Sequence, residues 1–360
     1  MLVKKGLGID VVSAARERII KAFHPGRTIW LSFSGGKDSL VLASIVYDLL
    51  MEGKIDKRFL RVYFIDEEAM YEDVIQIVKN WRIKFMEAGV LFEWYCLPVK
   101  HFNCLNTMTD EETFICWDPA KKDVWVREMP SFAIKDDDWL IPYHDNYQSF
   151  CERKRKAYNY ITMHGVRVAE SIQRRKNLAR KKSHDDVSMP IYDMTDKDIW
   201  LYIQMHDIEF PAVYENLYRV GTPTNRLRVS QFFSIDTAKS LVSLGETYPD
   251  LMTRVVRREP NAYLCAIYWD TEMFGRSTTN RRKLEKDMEK KDYRKLVMDI
   301  MRSDNPEHPE IVRTLKPSII KAVDMEESDW RMIYQVLLTG DPKGRQCRAI
   351  IQKLFGKVKK

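Results

Sequence analysis

The chain has 360 residues, of which 45% are hydrophobic and 31% charged, with a formal net charge of +7. That length holds one large core, or one core with a second and smaller domain, and the composition is that of a soluble globular protein. No apolar run approaches the length that crosses a bilayer, which excludes a membrane-embedded role.

The N-terminal stretch MLVKKGLGIDVVSAARERIIKAF reads as a short tail followed by an amphipathic helix, not as a signal peptide, so the expected compartment is the cytoplasm. From Thr28 the pattern alternates strand and helix. TIWLSF is a first strand, a helix follows the glycines and ends near Gly53, and RFLRVYFID is a second continuous apolar strand. A helix over MYEDVIQIVKNWRIKFMEAG stops at Gly89, and VLFEWYCLPV makes a third strand. This βαβαβ order predicts an α/β fold, a parallel twisted sheet with helices on both faces, whose ligands bind beyond the carboxyl ends of the strands. Residues 101–150 break the pattern. They are rich in tryptophan, proline and acids without a clear period, and read as an ordered insertion over the ligand-binding edge. Their tryptophans suit either stacking on a base or anchoring the loop to the core.

Regular structure resumes with a helix around Glu152–Tyr158 and a short strand, YITMHGVR. In PIYDMTDKDIWLYI, Thr195 is the expected N-cap of an amphipathic helix and Asp198 its capping-box partner, a structural block. From Asp236 the chain reads as wholly helical, with Trp269, Phe274, Trp330 and Tyr334 among basic residues. The expected domains are therefore 1–235, α/β with its insertion at 101–150, and 236–360, helical.

Charge is unevenly placed. From Cys151 to Ser183 there are eleven Lys or Arg against two acids, Glu152 and Glu170, a field suited to a polyphosphate, a nucleic acid or an acidic partner, or else a solvated helix face. The six cysteines, Cys96, Cys104, Cys116, Cys151, Cys265 and Cys347, form no CxxC pair, which argues against a disulfide framework or a zinc knuckle.

The most specific feature is Ser34-Gly35-Gly36-Lys37-Asp38-Ser39, between the first strand and its helix. Glycines let the backbone approach a ligand and the helix start offers unpaired amides, so the turn is an anion cradle whose natural guest is a phosphate chain. Its adjacent glycines separate it from the Walker loop, which needs four residues between the first glycine and the Gly-Lys pair.

Four motifs occur in order: SFSGGKDS, the strand ending in Asp66, HGVRVAESIQRR at His164–Arg175, and PIYDMTDKDIWLYI with VYENLYRVG behind it. Together they resemble the phosphoadenosine phosphosulfate (PAPS) reductase-like branch of the PP-loop ATP pyrophosphatase superfamily, with its adenine nucleotide α-hydrolase-like fold, over residues 10 to about 222. The remaining third is similar to the IbrA-like group of phage and prophage proteins. The resemblance implies ATP or a related adenylyl nucleotide as ligand, with Ser32, Ser34, Gly35, Gly36, Asp38 and Ser39 about the phosphate chain and Lys37 neutralising charge on a leaving pyrophosphate. It also implies Mg²⁺ on Asp66 or Asp38, with Glu67 and Glu68 as alternates whose plainer role is first-turn helix charge. Gly165 permits a close turn, Arg167 is expected to reach the oxyanion end of the ligand, and Arg174 extends that grip or pairs with Glu170. Lys37, Asp38 and Arg167 are thus the candidate catalytic residues. Tyr214, Tyr218 and Gly221 resemble the family's closing segment, although an aromatic pair at helical spacing suits a core.

One departure limits the resemblance. The nucleophilic cysteine of a Glu-Cys-Gly-type tail is absent from RQCRAIIQKLFGKVKK, where Cys347 falls on an amphipathic helix, and the paired cysteines of an iron–sulfur cluster are absent too. The expected activity is therefore adenylation, transfer or hydrolysis at the α-phosphate without PAPS reduction. Two alternatives stand beside it: a nucleotide-sensing transcriptional co-activator, and a DNA-associated, phosphorothioate-type modification factor. Both would use the basic 151–183 stretch and the helical C-terminal region to meet nucleic acid or protein.

Overall fold

The computed structural model describes residues 9–23, 27–103, 113–168, 186–219, 221–222, 227, 229, 231–233, 240–268, 292–322, 325–341 and 344–355. Arg174, the rest of the basic run after Val168, Trp269 and Phe274 lie outside them. The early elements are α1 (Val11–Ala22), β1 (Ile29–Ser32), α2 (Lys37–Met51), β2 (Leu60–Ile65), α3 (Glu72–Glu87) and β3 (Leu91–Tyr95). Next come β4 (Lys100–Phe102), β5 (Thr113–Ile115), α4 (Tyr147–Ala157), β6 (Ile161–Met163), β7 (Val187–Ser188), α5 (Asp196–Met205), α6 (Val213–Arg219), α7 (Ser240–Thr247), α8 (Pro249–Arg258) and α9 (Ala262–Tyr268). The last are α10 (Tyr293–Arg302), α11 (Pro309–Lys321), α12 (Glu327–Thr339) and α13 (Arg345–Phe355).

Five strands form a parallel sheet in the order β3-β2-β1-β6-β7. Ile29, Trp30 and Leu31 are fully buried, as a central parallel strand covered on both faces requires. Alternation along the strands separates those faces. On one, Phe33 and Phe92 meet Trp81 and Phe85 of α3, and Tyr47 of α2 meets the same two rings. On the other, Trp30 stacks on Tyr63 at 3.9 Å and Tyr95 packs edge-on against Phe150 of α4 at 5.4 Å. Helices therefore cover both faces.

The α4 face holds a polar network that the apolar look of VLFEWYCLPV conceals. Glu93 accepts the Trp30 indole N–H at 2.8 Å and the Tyr95 hydroxyl at 2.9 Å, and lies 3.8 Å from Lys154 Nζ. Lys154 also bonds Asp137 at 2.5 Å. Its neighbours are committed as well: Arg153 pairs with Asp145, Arg155 with Asp186 and Lys156 with Glu152. The described part of the basic stretch is thus occupied by intramolecular ion pairs.

Residues 101–150 contain more structure than their sequence shows. β4 and β5 pair antiparallel, a 3₁₀ segment spans Pro119–Val124, and α4 opens at Tyr147 behind an Asn146 cap. At α5 the capping box of Thr195 and Asp198 forms as expected.

The chain divides into two compact units, 1–103 with 111–266 and 104–110 with 267–360. The first extends past the boundary at residue 235 expected from sequence, and α8 with the preceding Tyr248 is tied to α3 and to the turn before it. Tyr248 donates to Asp73 at 2.6 Å, Arg254 to Glu72 at 2.6 Å, and the buried Arg258 pairs with the buried Glu68 at 2.8 Å. The second unit has its own core, in which Val297, Leu315, Ile333, Val336 and Ile350 are fully buried.

Arg258→Ala should destabilise the first unit by about 3–5 kcal/mol, because it leaves Glu68 buried without its cation. Burial already raises the Glu68 pKa against the opposing pull of Arg258. A raised carboxyl pKa favours the folded state when protonated, so the loss should shrink as pH falls from about 8 to about 5.5, as urea denaturation at both values would measure.

Candidate functional site

The glycine turn follows β1 directly. Gly35 has φ +71°, and a Cβ there would lie 2.8 Å from Val78 Cγ2 and 2.9 Å from Val74 Cγ1 of α3, so only glycine fits. Gly36 caps α2 without a side chain. The serine hydroxyls knit the turn to itself: Ser39 Oγ donates to Gly36 O at 2.8 Å and accepts from Ser34 N–H at 3.2 Å and from Ser34 Oγ at 3.1 Å. Ser32 sits earlier, on the strand, hydrogen-bonded to Tyr63.

The second motif reaches the same place from β6, the strand beside β1. A Cβ on Gly165 would lie 2.9 Å from Asp38 O and 3.1 Å from Ser39 Cα, so this glycine lets the two turns touch backbone to backbone. β1, β2 and β3 progress one way across the sheet while β6 lies on the opposite side of β1. The two turns therefore flank the crevice where strand order reverses, at the carboxyl ends of the strands.

Arg167 is 1% exposed, and its guanidinium is turned to carboxylates. Nε bonds Asp38 Oδ1 at 2.5 Å and an η nitrogen bonds Asp196 Oδ1 at 2.8 Å, joining the first turn of α2 to that of α5. Lys37 is buried too. Its Nζ donates to Leu227 O at 3.1 Å and lies 3.5 Å from Asp38 Oδ2, and its amide donates to Tyr214 Oη at 3.0 Å. Burial lowers the Lys37 pKa, with the Asp38 charge opposing the shift.

Asp66 follows β2 directly and has no exposure. Its Oδ2 accepts Trp94 Nε1–H at 2.8 Å, while Oδ1 accepts the Glu68 amide at 3.0 Å and pairs with Arg127. Glu68, at φ +63°, accepts the Trp117 amide at 2.7 Å in addition to Arg258. It anchors the insertion and α8 in place of charging the first turn of α3. Trp117 is buried and donates to Asp66 O at 2.7 Å, so this tryptophan anchors its loop. Glu67 lies 3.8 Å from His101, and burial raises its pKa.

These donor sets do not fit a magnesium ion held by protein carboxylates. Both oxygens of Asp66 are taken by protein N–H groups, and those of Asp38 face Arg167 and Lys37. Among the described residues no group of three or more His, Cys, Asp or Glu side chains is placed to hold a metal.

The structure brings Ser34–Ser39, Gly165 and Arg167 together, and it sets beside them Tyr214, which the sequence offered as a closing segment or as core, and, at Asp66, Arg127, which the sequence did not single out. Arg127 carries no motif. Tyr214 is buried, and Tyr218, its helical neighbour, is 63% exposed, so only one of the aromatic pair faces the turn. Cys347, in the second unit on α13, is 5% exposed, with its thiol pushed up to about 12 by burial and by Asp341.

Residues 144–225 match the family model of the phosphoadenosine phosphosulfate reductase domain. An uncharacterized protein of Escherichia coli (strain K12), YbdN, is 25% identical over 97% of this chain and 92% of its own length. Among solved structures, FMN adenylyltransferase of Candida glabrata is similar at 12% identity and a TM-score of 0.35 over 57% of each chain, so this chain spans little more than half of that protein. PAPS reductase of Candida auris is similar at 11% identity and a TM-score of 0.35 over 61% of this chain and 89% of its own. Likeness at these TM-scores carries no functional weight. The family match covers β6, Gly165 and Arg167 and runs on through α5 and α6, the segment that seats the second turn against SGGKDS in the parallel sheet, so over this segment the chain is similar to the phosphoadenosine phosphosulfate reductase domain.

Proposed function

We propose that the protein binds ATP or a related adenylyl nucleotide with its phosphate chain on the Ser34–Ser39 turn and acts at the α-phosphate. Attack there forms a bond from the acceptor to the α-phosphorus and breaks the bond to the bridging oxygen, releasing pyrophosphate. The observation that carries this reading is the contact of Gly165 with the start of α2, which brings both motif turns to one crevice where the strand order reverses.

In this reading the amides at Gly36 and Lys37 meet phosphate oxygens, and the Lys37 ammonium leaves Leu227 O for the charge developing on pyrophosphate. Arg167 and Asp38 act as positioning residues that hold the turn. No protein carboxylate is asked to carry magnesium. Reduction of a sulfonucleotide by Cys347 finds no support in a buried thiol with a raised pKa.

Purified protein with ATP and candidate acceptors should release pyrophosphate together with an adenylylated acceptor, or with AMP where water is the final acceptor, and Lys37→Ala should weaken ATP binding about 10- to 100-fold by removing a charge-assisted contact. Tight ATP binding without turnover would replace the enzyme with a sensor. ATP affinity should fall as pH rises from about 7.5 through the lowered Lys37 pKa, since the anion favours the charged amine, and Lys37→Arg should flatten that profile. Iodoacetamide applied to the native protein at about pH 8 should leave Cys347 unmodified, as peptide mass spectrometry would show.

A further inference from the structure

Tyr214 stands near the start of α6, with its ring edge-on to Trp200 of α5 at 5.5 Å between centroids. It is 3% exposed, and its hydroxyl oxygen, which accepts the Lys37 amide, would lie 3.3 Å from a Cβ on Gly36. An amide in the first turn of a helix behind a glycine pair is where an anionic oxygen sits. The phenol oxygen thus occupies the seat of a phosphate oxygen.

The lysine side chain is committed in the same direction. Nζ is held by Leu227 O, and Val229 Cγ2 would lie 3.5 Å from a Cβ on Gly36. Further along, the Gln231 amide bonds the Glu67 carboxylate and the Phe232 amide donates to Ala69 O at 3.2 Å. Residues 227, 229 and 231–232 therefore pass from the turn after β1 to the turn after β2.

We infer that Tyr214, with the Leu227 carbonyl, is an internal cap on the phosphate cradle, which a polyphosphate must displace in order to bind. The inference rests on the assignment of the Ser34–Ser39 turn to phosphate, and adds that the ligand competes with the protein's own oxygens. The exchange is favourable because a charged oxygen is a stronger acceptor than a neutral phenol or carbonyl. It still lowers affinity, since the open form is a fraction of the whole. Burial raises the Tyr214 pKa, which keeps the capping group neutral.

Tyr214→Phe tests the cap, because it retains the ring against Trp200 and deletes only the oxygen. Inorganic pyrophosphate titrated into each protein by calorimetry should bind the variant about two- to tenfold more tightly, the worth of one hydrogen bond. Hydrogen exchange at the start of α2 should also quicken in the ligand-free variant. Weaker pyrophosphate binding would make the hydroxyl a ligand contact and overturn the cap. Equal binding, or no binding to either protein, overturns it as well. The nucleotide reading is judged separately, by whether ATP binds wild type more tightly than pyrophosphate does.

Discussion

Gly165 leaves no room for a Cβ against the backbone of Asp38 and Ser39, and much of the candidate site depends on that close approach. Turns from neighbouring parallel strands come this close only where one of them lacks a side chain. Once they touch, Arg167 falls beside Asp38 and Asp196, which fixes the first turns of α2 and α5 relative to each other. The direction of α2 sets where the Gly36 and Lys37 amides point. The seating of α5 places Trp200, and Trp200 places Tyr214.

What the sequence made legible was what repeats locally. Continuous apolar runs marked β1, β2 and β3, the Thr195–Asp198 spacing marked the start of α5, and adjacent glycines marked the anion turn. What stayed hidden was the partner of each charge. Arg167 and Asp38 are 129 positions apart, Arg127 and Asp66 are 61 apart, and Tyr214 and Lys37 are 177 apart. No period or spacing encodes such pairs, because they arise only when the sheet brings distant turns together. An arginine in a ligand motif and one in a buried ion pair look alike until the fold is present.

The run Asp66-Glu67-Glu68 beside a phosphate cradle poses an electrostatic difficulty that the structure resolves by local compensation. Three carboxylates would repel a polyphosphate in a poorly solvated crevice. Arg127 pairs with Asp66 and Arg258 with Glu68, so two of the three carboxylates are matched by buried guanidinium groups, and burial raises the pKa of the third, Glu67. The same pairs fasten the insertion and α8, and a buried pair of this kind is costly to break from either side. Architecture and charge balance at this edge are thus carried by the same side chains.

The network on the α4 face bears on how such a chain can change over time. Glu93, Asp137 and Lys154 come from a strand, a loop and a helix, and each side chain is no more than 10% exposed. Loss of the lysine takes the near cation from Asp137 and leaves Glu93 with the more distant Arg61, and loss of either acid leaves the lysine undercompensated against the rings of Tyr95 and Phe150. Single replacements are therefore selected against, whereas an exchange of all three for apolar residues is open. Across descendants of a common ancestor these three positions should turn over as a set, a covariation whose origin is electrostatic and unrelated to the ligand.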